Sequence, residues 1–580
     1  MKIFLTNFLM LFTITVFSQT ENSPFIRLTS PYQTLNTVRS SRQFIVGSTC
    51  KNCALTINSK RINVYPTGAF VHQLDLLTGD SVITILAETG GKSSTKKIKY
   101  TYTLPKPAEP VKTLAVEFIK TFPAGNLILM KGDKIKFQVK TLTNSKVSTL
   151  QNTLLYELPL TQTNGMAGIY QGEYIVKELD SFSNKKIAVT ITDSAGKFIT
   201  RETSNYFTVL SPNVPNIAIT KGRLAHLEYG LGEDRLGGAK IGYLDSNIVL
   251  KIIGKVGDHY KVQLSKTLTA YIPDELVTMM PKGTFTPESL THNWNVFGDD
   301  KYDYVKVGLF AKLPYQSFQL VDPSKIIVDI FGATNNTNWI TQLKSVKEIS
   351  DVFYEQKEDD IFRITIQLKH AQHWGHQIYY AGNTLVIKVK QQPQNLSFKN
   401  LIIAVDAGHG GSNTGAVGPT GITEKELTLA LSLKLQNALE KEGATVIMTR
   451  TKEQFFDNKE RILFYRDSLP DLLISIHLNS AEDPIRASGT GAFYRYVGFR
   501  NLSLHIYNRM LELGLKEYGN TGSFNFMLNS PIEYPNALIE TLFLSNPEEE
   551  MKMLDPAFQQ QMADKIVSGI KDFLEASKEK

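Results

Sequence analysis

The sequence predicts a multidomain protein, a series of all-β modules followed by one C-terminal α/β domain. Three observations predict it. The chain has 580 residues, more than one hydrophobic core holds, and that length suggests about three to five domains. From Phe25 to Val389 the apolar runs are short and separated by Gly, Asn, Asp and Pro turns, the pattern of antiparallel strands. From Leu401 onward the rhythm becomes strand, helix, strand, the pattern of an α/β domain.

Composition excludes several classes. The hydrophobic and charged fractions, 42% and 21%, are those of ordinary globular chains. The net charge of +7 from 63 basic and 56 acidic residues is a mild excess, compatible with a polyanionic surface such as a cell wall. No basic-aromatic patch points to nucleic acid. Lys2, the apolar stretch Ile3 to Phe17 and Val16-Phe-Ser18 read as a secretory signal peptide over 1–18. No later segment is apolar and long enough to span a bilayer, so no membrane span is expected after signal cleavage. The mature protein is expected to be exported and soluble, in the periplasm or cell wall.

Residues 25–103 carry strand-like runs at Phe44-Ile-Val46, Leu55-Thr-Ile57 and Val82–Leu86, with turns at Asn58-Ser-Lys60, Pro66-Thr-Gly68 and Thr78-Gly-Asp80. That spacing suits an antiparallel sandwich, and the layout resembles an immunoglobulin-like (Ig-like) module. Cys50 and Cys53, the two cysteines of the chain, have CxxC spacing without a second pair, which favours a structural role and permits a local disulfide outside the cytosol. Leu104–Pro110 is a proline-rich, semi-stiff linker. Residues 113–210 repeat the theme with Lys136-Phe-Gln-Val139, Tyr170–Val176 and Ile187–Ile191, predicting a second sandwich.

Residues 217–280 hold Val249–Ile253, Gly257–Val262 and Ala270-Tyr-Ile272, a turn followed by aromatic strands that resembles a bacterial SH3-like barrel. Residues 290–390 hold Val305-Lys-Val307, Pro323–Ile330, Phe362–Leu368 and Gly382–Ile387, which resemble the AMIN domain; that resemblance implies retention on peptidoglycan. His370, His373 and His376 in this segment form an HxxHxxH string. On a strand, i and i+3 face opposite sides, so surface or packing histidines are a better reading than metal ligands.

The last domain spans 397–578. Leu427, Leu431, Leu435 and Leu439 give a helical stripe; Thr423 with Glu426 make a capping-box pattern before it, and Gly443 ends it. Four residues stand out. His409 follows the apolar run Leu401–Val405 inside Asp406-Ala-Gly-His-Gly-Gly411; His477 follows Leu472-Leu-Ile474; Glu540 closes Ala537-Leu-Ile539; Glu424 opens the helix. Ligands of open α/β sheets bind outside the carboxyl ends of the strands, where these positions fall. Two imidazoles and one carboxylate, with water in the fourth position, form a catalytic zinc arrangement. A further carboxylate is then needed to move the proton, and Glu540 suits it. Singly, each has an ordinary explanation: a glycine loop for an anion, a packing histidine, a carboxylate on a helix dipole. Together they form one site.

Residues 401–574 resemble the zinc-dependent N-acetylmuramoyl-L-alanine amidases of type 3. The matching pieces are Asp406–Gly411, Gly415-Ala-Val417, Thr423–Glu426, Val446–Arg450, Ser475–Asn479 and Glu540–Asn546; the match lapses between Gly519 and Pro535. The resemblance implies one Zn2+ on His409, Glu424 and His477, catalysis by Glu540, and Asn479 and Arg461 as substrate-binding or supporting residues. It implies peptidoglycan as substrate, cut between N-acetylmuramic acid and L-alanine of the stem peptide. The alternatives are another zinc-dependent wall hydrolase, peptidase or deacetylase, and a non-catalytic wall-binding scaffold. Between His477 and Glu540 the sequence shows one strand, one helix at Leu502–Gly514 and a loop, with no room for a blocking helix. No obligatory activator is therefore expected.

Overall fold

The computed structural model describes residues 23–104, 109–232 and 237–578. The expected signal peptide and the middle of the Leu104–Pro110 linker lie outside the described residues. Among the described residues, no helix is long and apolar enough to cross a membrane. The chain is mostly β before residue 397 and α/β after it.

The first module pairs a three-stranded sheet (Arg27–Ser30, Arg42–Ser48, Ala69–Asp75) with a five-stranded one. Alternate residues Leu55, Ile57, Ile83, Ile85 and Phe70 face inward and are buried, as strands with one solvated face require. Cys50 and Cys53 are disulfide-bonded across the Lys51-Asn52 turn. Residues 116–202 contain a seven-stranded sheet. The expected break near residue 210 is not a break in hydrogen bonding. Leu127–Leu129 and Phe207–Val209 pair in parallel, and Leu127–Leu129 also pairs with the strand Val249–Val256 of the next segment.

The sheet over residues 217–279 and the strands over 289–390 share one apolar core, in which Leu250 and Ile252 lie with Leu309, Leu313 and Val328. The histidine string is packing, as expected. His373 Nε2 meets the Leu320 carbonyl at 2.8 Å, His376 Nε2 meets Ser317 Oγ at 3.0 Å, and His370 Nδ1 meets Glu348 at 2.7 Å. Burial pushes the His376 imidazole down to about 3, so it stays neutral.

The α/β domain runs β1 (Ile402–Ala407), α1 (Glu424–Lys441), β2 (Thr445–Ile447), α2 (Asn458–Ser468), β3 (Leu472–Asn479), β4 (Thr490–Phe493), α3 (Arg500–Leu511), β5 (Glu517–Thr521), β6 (Asn536–Phe543), α4 (Pro547–Met553) and α5 (Pro556–Ala576). The sheet order is β2-β1-β3-β6-β4-β5. Strands β2, β1, β3 and β6 are parallel, and β4 runs against β6. Leu431, Leu435 and Leu439 of α1 are fully buried against the sheet, and Glu426 accepts a hydrogen bond from Thr423 N at 2.9 Å. Gly443 takes φ +96° just past the helix end, the left-handed turn that glycine tolerates.

Two features differ from expectation. Residues between His477 and Glu540 form two strands, β4 and β5, rather than one. And Glu540 does not close its strand, because β6 continues to Phe543. The apolar run that signals the strand ends at Ile539, but backbone pairing to β3 persists beyond it.

The core of this domain also recruits a residue from upstream. Trp374, 2% exposed, belongs to the same apolar cluster as Leu401, Ile474 and Ile570, its ring 5.8 Å from that of Phe573. Leu224 and Tyr243, from the sheet over residues 217–279, pack against Ala404, Ile462 and Tyr465.

Candidate active site

His409, Glu424 and His477 converge. One ligand atom from each lies within 4.8 Å of the other two. Glu424 Oε1 is 3.0 Å from His409 Nε2 and 3.1 Å from His477 Nδ1. Four ligands at zinc distances of about 2.1 Å sit roughly 3.4 Å apart at tetrahedral angles, so these spacings suit one shared ion. The imidazoles meet edge to face with centroids 4.9 Å apart.

Each group is placed by a separate element. His477 is the third residue of the β3 terminus Ser475–Asn479 and pairs in register with Glu540 on β6. Adjacent strands are about 4.8 Å apart, which sets Glu540 one strand from His477. Glu424 begins α1, where its Oε2 accepts from Ala416 N at 2.8 Å and its Oε1 from Leu478 N at 3.0 Å. Burial alone raises a carboxyl pKa; here the histidines outweigh it and hold Glu424 well below the usual carboxylate range. It is therefore an anionic ligand at neutral pH.

His409 sits two residues beyond β1 with φ +61°, a strained conformation for a residue with a Cβ. Three consecutive carbonyls hold it. Arg450 donates to Ala407 O at 3.0 Å and Gly408 O at 2.8 Å. Arg461 donates to Ala407 O at 2.8 Å and also to His409 O. Asn413 Oδ1 meets His409 Nδ1 at 2.9 Å, which leaves Nε2 to face Glu424. Gly408 must lack a side chain, since a Cβ there would stand 2.4 Å from the His477 ring; one at Gly415 would stand 2.4 Å from Glu424 Oε2.

Residues 403–572 match the N-acetylmuramoyl-L-alanine amidase family and residues 295–396 match the AMIN domain. The germination-specific N-acetylmuramoyl-L-alanine amidase of Bacillus subtilis (strain 168) is 32% identical over 198 residues, covering 31% of this chain and 82% of that protein. The chain belongs to the N-acetylmuramoyl-L-alanine amidase family. N-acetylmuramoyl-L-alanine amidase AmiC of Neisseria meningitidis serogroup B is 24% identical over 361 residues, 46% of this chain and 86% of that protein. The crystal structure of N-acetylmuramoyl-L-alanine amidase from Clostridium difficile 630 aligns with 30% identity over 31% of this chain and 98% of that one, with a TM-score of 0.30.

Within the amidase domain, Asn479 ends β3 two residues beyond His477, on the same face of the strand, and its Oδ1 accepts from Ser480 N at 2.8 Å. Arg461 is different. It is 2% exposed, and its guanidinium is spent on Asp406 at 2.7 Å and on the carbonyls of the His409 loop. Its donors face the His409 loop and Asp406. Arg450 and Asn413 lie inside or beside motifs legible in the sequence, but no local signal shows that their partners are the backbone and ring of His409.

Proposed function

We propose that the protein is an exported, zinc-dependent amidase that hydrolyses the amide joining the lactyl group of N-acetylmuramic acid to L-alanine of the peptidoglycan stem peptide. The observation that carries this reading is the meeting of His409, Glu424 and His477 at one point with Glu540 one strand away. His409 through Nε2, His477 through Nδ1 and Glu424 through Oε1 are the residues that would hold the ion. When bound, zinc lowers the pKa of a water and polarises the substrate carbonyl. Glu540 would take a proton from the attacking water and deliver it to the departing nitrogen. The C–N bond breaks, a carboxylic acid stays on the lactyl group, and L-alanine gains a free amine. The upstream modules, including the AMIN segment and the sandwich and barrel that resemble Ig-like and SH3-like domains, hold the enzyme on the wall.

No activator is needed in this reading. The one long helix between His477 and Glu540, α3, buries Leu502, Ile506 and Met510 in the domain core and packs along α5, so it does not lie over the site. The test is mass spectrometry of muropeptides after digestion of purified sacculi by the full-length protein alone. New free amines on L-alanine are expected. Released acetate or cleaved cross-links would replace the amidase with a deacetylase or peptidase, and turnover only after addition of a partner would overturn the activator-free reading.

A further inference from the structure

The first sandwich stands on the catalytic face of the amidase domain. Its Arg42 guanidinium pairs with Asp483, four residues beyond the end of β3, at 2.5 Å. The Arg27 side chain lies 3.7 Å from where a Cβ on Gly421 would stand, in the loop that leads into Glu424. Tyr65 lies beside the Glu548 carboxylate, which follows β6. All three amidase segments follow the site-bearing strands or precede Glu424, so the contact surrounds the catalytic edge of the sheet rather than its far end.

Between the two modules lies a cavity of about 180 Å³ lined by Tyr65, Val71, Ile485, Lys516, Glu548 and Lys552, among others. It is tied to the site through the sheet. Thr490 N donates to Lys516 O at 3.0 Å, and Thr490 Oγ1 donates to Glu540 O at 3.4 Å. In the order β3-β6-β4-β5, Lys516 precedes the strand two places from Glu540, which is about 10 Å at the usual spacing. That is the length of about three extended residues.

Two lysines and two carboxylates line the cavity, and the carboxylates are already engaged by the protein. Glu549, which also lines it, accepts from Gly489 N and Phe543 N, each at 2.7 Å, and Glu548 faces Tyr65. Lys516 and Lys552 both act on the Glu549 carboxylate across the cavity, and its oxygens are held by the two main-chain amides, which leaves the lysine ammonium donors for a bound anion. Val71 and the half-exposed Ile485 supply apolar wall.

We propose that this junction is a subsite for the carboxylate-bearing end of the stem peptide, with Lys516 and Lys552 as its anion donors and the first sandwich as its outer wall. The proposal rests on the amidase reading: a peptide whose N-terminal amide lies at Glu540 reaches Lys516 within a few residues. The sandwich thereby becomes part of the substrate cleft rather than a tether alone.

The test uses full-length protein and two measurements. In the first, a free stem peptide, which lacks the scissile bond, is titrated into wild type, the double variant Lys516→Ala/Lys552→Ala and the cavity-filling Val71→Trp. Each variant should bind about tenfold more weakly, and amidating the peptide carboxylates should weaken wild type similarly and remove the effect of the lysines. In the second, turnover of the muramoyl peptide should show KM raised about tenfold with kcat within twofold. A tenfold change corresponds to about 1.4 kcal/mol, within the range of one hydrogen bond to a charged group. Wild-type affinity in both variants overturns the subsite, as does an equal loss for free and amidated peptides. Peptide binding with no release of free L-alanine amine would instead sink the amidase reading and leave the subsite standing.

Discussion

The Arg461 guanidinium donates to the main-chain carbonyl of His409 while pairing with Asp406 at 2.7 Å. One side chain thus couples a buried carboxylate to the strained backbone of a proposed metal ligand. Asp406 is 0% exposed; burial works against its charge, and Arg461 prevails and holds its carboxyl low. The pair orients the His409 loop, and outer groups of this kind commonly change metal affinity 10- to 100-fold when altered.

Arg461→Lys keeps the charge but loses the fork that reaches Ala407 O and His409 O together. Zinc affinity, measured by competition with a chromophoric chelator, should fall at least about tenfold. Arg461→Ala should also destabilise the fold by roughly 3–5 kcal/mol, because Asp406 is left as a buried unpaired charge. Unchanged zinc affinity in Arg461→Lys would show that the clamp does not position His409.

Glu540→Gln separates binding from proton transfer. Gln is nearly isosteric, and zinc stoichiometry by elemental analysis should remain one per chain. Turnover should fall about 10²- to 10⁴-fold, the usual range for a lost general base. Retained turnover would move the proton-transfer role elsewhere.

Metal removal should be visible without any substrate. Ligand held only by the native state stabilises it by about 2.7 kcal/mol at a hundredfold excess over Kd, so dialysis against chelator should lower Tm and zinc should restore it. His477→Ala should have a Tm indifferent to zinc. A shift that persists in that variant would place the ion at other residues.

Glu550 gives a pH dependence with a definite sign. It is 0% exposed, and its Oε1 accepts from Thr420 N at 2.8 Å and Thr420 Oγ1 at 2.7 Å. Burial pushes its carboxyl up to about 7, against those hydrogen bonds. Below about pH 4.3 the group is neutral in both the native and unfolded states. Between there and about 7 the unfolded chain releases a proton that the native chain keeps, so stability falls as pH rises. At about 1.36 kcal/mol per unit, the loss is roughly 3–4 kcal/mol by pH 8. Glu550→Gln should be more stable than wild type at pH 8 and equal to it near pH 4. Parallel Tm curves across that range would refute the assignment.

The site was legible because it is built from local signals: His409 and Glu424 lie at the start of a motif loop and of a helix, and His477 at the end of an apolar run. Strand-to-helix chemistry repeats every turn of an α/β domain, so short windows capture it. The support was not legible. Arg450 reaches Ala407 and Gly408 across 43 and 42 residues, and no periodicity marks which buried arginine will meet which carbonyl. Helix α2 was hidden for a different reason. Its sequence NKERILFYRDS is mostly polar, and only Arg461, Ile462 and Tyr465 are buried, too few to draw an apolar stripe. Module boundaries fail similarly, because the strand Leu127–Leu129 reads locally as part of one sandwich but hydrogen-bonds to the next sheet.

Trp374 gives the sharpest test of how far the modules are independent. It lies within the segment matched to the AMIN domain, yet it is a core residue of the amidase domain beside Phe573. Nearby, Lys390 Nζ pairs with Asp471 at 2.7 Å and donates to Pro470 O at 2.9 Å, both in the amidase domain. Trp374→Ala should therefore destabilise the amidase domain itself by about 3–5 kcal/mol, read as loss of zinc-stabilised unfolding in calorimetry of the full chain. Trp339→Ala, at a residue 64% exposed in the same segment, should shift it by less than about 0.5 kcal/mol. If Trp374→Ala leaves the zinc-dependent transition in place and moves only a separate one, the two domains fold apart and the shared core has no energetic meaning. If both shift together, an enzyme cut at residue 397 lacks part of its own interior.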